Sequence, residues 1–144
     1  MKIVEEIERE FKAARDLDAG FDFAGPERNL GLLYLDAPGW PMSIGSRNKA
    51  RQHLQKAVEL SPDFPDNRLS LLEAYLKWGE KKSVDAQLES VEAVLAAARK
   101  KLTGADWMSS WEDWDREDWE RRWERLKSKA AETVKPVESP KNQE

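Results

Sequence analysis

Ala50, Leu54 and Ala57 recur with a four- and then a three-residue step, and Pro62 closes the run. That step stacks side chains on one face of an α-helix and suits no strand, whose faces repeat every second residue. Four more segments carry the same period. Ile3, Ile7, Phe11 and Ala14 share a face within residues 2–17, and Leu30, Leu33, Tyr34 and Ala37 share another. Leu69, Leu72, Tyr75 and Leu76 cluster next, and Val84, Leu88, Val91, Leu95, Ala98 and Leu102 line a longer segment. No run longer than a few residues alternates with the period of a strand. The chain is therefore expected to be all-α, built from short helical hairpins.

Punctuation residues fall between these segments. Gly25-Pro26 restarts a helix after the connector "DAGFDFAGP", with proline where no N–H is needed. Pro38 stops that helix, because the residue before a proline is driven out of helical conformation. Ser46, Asp66 and Ser83 stand where N-caps are expected, and Gly79 stands where a helix would close. The last segment changes phase. Trp107, Trp111 and Trp114 follow one set of helical steps, and Trp119, Trp123, Leu126 and Ala130 share a different face. An irregular piece followed by a helix opened by Asp115 or Asp118 is expected there. Residues 135–144 are too polar and proline-punctuated to order on their own.

Composition removes several classes of function. With no cysteine, disulfides, thiolate metal sites and cysteine nucleophiles are excluded. The 24 basic and 28 acidic residues leave a net charge of −4, which gives no general attraction to nucleic acid. "WERRWERLK" sets arginines beside tryptophans, but its glutamates prevent a positive stripe. No apolar run approaches the ~20 residues of a membrane span, and no basic-then-apolar signal follows Met1. The sequence as it stands reads as cytoplasmic, or as one trimmed of a targeting segment.

Ala50, Leu54, Ala57 and Pro62 resemble the second helix of a tetratricopeptide repeat, where small alanines admit a neighbouring helix and leucine fills its groove. Leu30, Gly31 and Tyr34 resemble the first-helix pattern, and Leu71, Leu72 and Tyr75 repeat it with leucine in the glycine place. Ile7, Phe11 and Ala14 fit a second helix with no first helix before it. On this reading the stretch at 36–46 is an insert between the two helices of one hairpin. A phosphate cradle is excluded there, since neither a preceding strand nor a following Lys-Ser/Thr is present.

The motif extends further. Gly25, Pro26, Arg28, Leu30, Gly31 and Tyr34, then Pro38-Gly39-Trp40-Pro41, then Ser43 and Gly45, resemble the T-component family of tripartite ATP-independent periplasmic (TRAP) transporters. The resemblance covers roughly residues 5 to 100 and is most specific at 25–62. It implies a non-enzymatic helical protein of the bacterial envelope that associates with a periplasmic solute-binding protein and self-associates. It also implies a periplasmic location if the N-terminus is truncated.

The candidate sites follow. The first-helix faces would present Arg28, Tyr34, Arg68 and Tyr75 to a protein partner. The insert is either a rigid spacer with Trp40 packed on its own hairpin or a proline-stiffened loop that meets a partner. The tryptophan run either caps the end of the array or exposes Trp107, Trp111 and Trp114 as a binding surface. A small-molecule cleft walled by Trp40 and Trp78 is the alternative to a scaffold. His53, the one histidine, completes no catalytic or metal-ligand spacing. Glu112, Asp113, Asp115, Glu117 and Asp118 alternate with arginines as a solvated helix face does. The expected architecture is an α-solenoid of tetratricopeptide-like hairpins over residues 1–134, closed by a Trp-rich helix within 106–131. The expected function is a scaffold without catalytic, cofactor or metal site.

Overall fold

The computed structural model of the chain describes residues 2–101 and 113–134. Six helices follow in order: α1 (Lys2–Leu17), α2 (Phe21–Asp36), α3 (Arg47–Leu60), α4 (Pro65–Trp78), α5 (Lys81–Lys101) and α6 (Asp113–Val134). Among the described residues every regular element is helical, as the periodicity predicts. The expected tail at 135–144 lies outside the described residues, as do Trp107 and Trp111; Trp114 falls on the first turn of α6.

Consecutive helices pack as neighbours from α1 to α5, and α4 additionally touches α2 and α6. One apolar core runs through α2 to α6, from Leu30 to Ala130. Ala50, Leu54 and Ala57 are fully buried, so the four-then-three step reads the core face of α3 correctly. Burying a leucine such as Leu54 contributes roughly 1.5–3 kcal/mol. α2 lies so close to α3 that a Cβ on Gly31 would sit 2.6 Å from Leu54 Cγ. Glycine is required at that point because two helices share the space of one side chain.

The helix ends show where local chemistry governs. Ser46 caps α3, its hydroxyl accepting from the Lys49 N–H at 3.2 Å. Gly79 closes α4 in the left-handed region at φ 69°. α2 ends at Asp36, and Ala37 turns extended before Pro38. Three expected openings are displaced, one of them that of α6, which begins at Asp113 rather than at Asp115 or Asp118. Pro65, not a residue after Asp66, opens α4, with Phe64 as its N-cap, because proline suits the first helical position. Ser83 lies inside α5, which opens at Lys81.

The expected connector before Gly25-Pro26 is itself coiled. Asp22, Phe23 and Ala24 all have positive φ, at 51°, 53° and 65°. Three consecutive non-glycine residues there cost about 1–2 kcal/mol each. The Phe23 carbonyl that this turn directs inward accepts from Asn67 Nδ2 at 2.9 Å and from Arg28 Nη1 at 3.2 Å. Tertiary hydrogen bonds thus hold a turn that local propensity opposes.

Candidate functional site

The loop between α2 and α3 is pinned at both feet. Gly45 N–H donates to Pro38 C=O at 2.8 Å, and Ser46 N–H donates to Tyr34 C=O at 3.0 Å. Within it, the Met42 and Ser43 N–H groups both donate to the Gly39 carbonyl, at 3.0 and 3.2 Å. A Cβ on Gly45 would stand 2.0 Å from the Ala37 carbonyl oxygen, so only glycine lets the two feet close. The tip bears two large apolar side chains. Trp40 is 90% exposed and Met42 70% exposed. Of the two readings of this insert, the one that packs Trp40 on its own hairpin is not met, since the side chain stands exposed.

The first-helix residues have a different fate. Arg28 is 7% exposed and closes a polar knot rather than facing a partner. It donates to Asn67 Oδ1 at 2.8 Å and lies 3.4 Å from Asp22 and 3.8 Å from Asp66. Its guanidinium also covers the Phe64 ring at 5.1 Å. Asn67 is wholly buried and donates to the carbonyls of Phe23, Ala57 and Ser61. Arg122 of α6 reaches the same knot, donating to Asp66 Oδ1 at 2.7 Å and Ser70 Oγ at 3.3 Å. Arg28 therefore binds α2 to α4, and Arg122 binds α6 to α4.

Tyr34 is buried against α1, where its hydroxyl donates to the Glu8 carboxylate. Burial first, and then that hydrogen bond, push its pKa well above the usual tyrosine value. Tyr75 is also buried, and its hydroxyl accepts from Gln55 Nε2 at 3.0 Å. Trp78 is half-buried under the guanidinium groups of Arg47 and Arg51, at 5.7 and 5.0 Å. Arg51 is paired with Glu80, whose carboxyl it holds below the ordinary range by hydrogen bonding. Arg68 is half-buried and donates to the Pro62 carbonyl at 2.9 Å. Of the candidates on described side chains, Trp40 alone is presented outright; Arg28, Tyr34 and Tyr75 are turned to internal contacts.

Sequence spacing does not reveal one pair. His53 Nδ1 lies 2.6 Å from Glu27 Oε2, and the imidazole stacks on Tyr34 at 5.4 Å between centroids. Both side chains are mostly buried, at 16% and 7% exposure. The Gly31–Leu54 contact was the usable signal: it fixes how α2 lies on α3, and Glu27 sits one turn before Gly31 while His53 adjoins Leu54. Among the described residues no group of three or more histidine or carboxylate side chains could hold a metal ion. No described helix is long and apolar enough to cross a membrane. Compared with known proteins, the chain matches no family model and no curated sequence.

Proposed function

We propose that this chain is a non-enzymatic interaction scaffold of tetratricopeptide-like hairpins, and that the Trp40 loop is its contact point. The observation that carries this reading is an apolar tip held outward on a pinned backbone. Tryptophan is the side chain that most often dominates binding energy at protein interfaces, and a pre-ordered loop loses little entropy on association. The contacts of α4 with α2 and with α6, two helices away on either side, support stacked hairpins. The partner we infer is a periplasmic solute-binding protein of the TRAP type. Its support is the resemblance of the motif from Gly25 to Gly45, whose Gly31 and Gly45 each occupy a site with no room for a Cβ.

The test is capture of a purified TRAP-type solute-binding protein on the immobilised chain. Trp40→Ala should weaken capture about 30-fold or more, the loss of a tryptophan hot spot, while thermal unfolding stays unchanged. Wild-type affinity in that variant would remove the loop from the interface. Absence of capture by the wild type would remove the partner.

A further inference from the structure

Acidic residues stand in the first turns of α1, α2 and α4, as Glu5, Asp22 and Asp66, where the positive end of a helix dipole favours them. α3 and α5 break this pattern. Their first turns hold no acidic residue and carry Arg47 and Lys49 in the one, Lys81 and Lys82 in the other. All four are exposed, and among the described residues none of them forms an ion pair. The two turns lie at one end of the molecule. Lys77, near the end of α4, donates to the Leu35 carbonyl near the end of α2 at 2.9 Å. Arg51, one turn into α3, pairs with Glu80, the residue before α5. The Trp40 loop leaves from this same end, between Asp36 and Arg47. Asp36 lies 4.0 Å from Lys77, so Arg51 and Lys77 answer Glu80 and Asp36. The four first-turn cations stay in excess over Asp85, the exposed carboxylate one turn further along α5, although the chain as a whole is acidic. Two of them are seated on rings: the Arg47 guanidinium lies 5.7 Å from the Trp78 centroid and Lys49 Nζ 5.3 Å from that of Tyr34.

We propose that this end of the molecule is the electrostatic half of the Trp40 contact: Arg47, Lys49, Lys81 and Lys82 receive a cluster of carboxylates on the partner protein, beside the apolar pocket that takes the tryptophan. The inference rests on the reading of the loop as the contact point and adds the charge of the surface it meets. Basic residues in a first helical turn oppose the helix dipole and here gain no partner within the described chain. An acidic partner surface supplies the missing negative charge. A protein fits better than a lipid bilayer because Arg47 and Lys49 are held in place. Cations at fixed positions match carboxylates at fixed positions, which arginine can bind through two parallel hydrogen bonds. A headgroup layer attracts basic segments through their charge alone and requires no such seating. Charge matched in this way acts mainly on the rate of encounter, while the buried tryptophan acts on the lifetime of the complex.

The test is surface plasmon resonance of a purified TRAP-type solute-binding protein over the immobilised chain. Association with the wild type should slow about tenfold or more between low salt and about 0.3 M NaCl. The double reversal Lys81→Glu with Lys82→Glu should slow association by a similar factor at low salt and leave dissociation within about twofold. Its thermal midpoint should equal or exceed that of the wild type, because acidic residues then meet the helix dipole, so weaker binding cannot be put down to unfolding. Trp40→Ala should do the converse, speeding dissociation with association little changed. Capture indifferent to both salt and the double reversal would overturn this proposal and leave the loop as the contact point. Absence of capture by the wild type would overturn both. Co-sedimentation of the wild type with phosphatidylglycerol vesicles, abolished by the double reversal while capture of the protein is indifferent to it, would make an anionic membrane the occupant and likewise overturn the proposal.

Discussion

The knot around Arg28 and the loop around Trp40 hang from opposite ends of α2 and reverse the usual placement of side chains. At one end a guanidinium and a carboxamide are buried; at the other a tryptophan and a methionine stand in solvent. The knot tolerates burial because its donors meet carbonyls and carboxylates from the start of α2, from α3 and from α4. The loop tolerates exposure because its backbone is closed on itself, so its side chains need contribute nothing to the fold. Polarity alone predicts neither place. What decides is whether the backbone and side-chain hydrogen bonds around a residue are already complete.

That contrast can be broken by substitution. The largest effect is expected at Arg28→Ala, which leaves Asp66 and the Asn67 and Phe23 oxygens with fewer partners in a buried setting. A loss of about 3–5 kcal/mol is expected, as for one member of a buried ionic network, measured by urea unfolding. A change under about 0.5 kcal/mol would show that the knot is not what holds α2 on α4. A smaller effect concerns Tyr34. Its folded-state pKa is raised above the ordinary 10.0, so the folded chain holds the phenolic proton more tightly than the unfolded chain does. The associated stability is complete below pH 10 and declines as pH rises through the folded value. Urea midpoints between pH 8 and pH 11.5 should therefore fall more steeply for wild type than for Tyr34→Phe. Parallel profiles would detach Tyr34 from alkaline stability. The smallest effect is expected at Trp40→Ala, within about 0.5 kcal/mol of wild type. A larger cost would mean that the tip supports the fold after all.

How far the sequence can be read follows the same division. The faces of α3 and α4 were legible because Ala50, Leu54, Ala57, Leu69 and Leu72 obey a helical period and meet a continuous core. Ser46 and Gly79 were legible because capping is local chemistry. Arg28 was not, since nothing within its own helix shows that Asn67, 39 residues on, will accept from it. Glu27 and His53 are 26 residues apart and meet only once α2 has docked on α3. The turn at Asp22–Ala24 defeats local reading altogether, because three side-chain-bearing residues there oppose the backbone they adopt. The spacing of the insert leaves Trp40 open between packing on its own hairpin and meeting a partner, and its burial can be read only from the folded loop, where the side chain is exposed.

The turn at Asp22–Ala24 also bears on how the chain assembles. Its inward carbonyl accepts from Arg28, five residues on, and from Asn67, 44 residues ahead in the chain. A chain that extends only as far as α3 has the first donor and lacks the second, so the corner between α1 and α2 gains its full set of hydrogen bonds only with α4. The corner is thus completed from two places, the helix it opens and a helix two elements further along the chain.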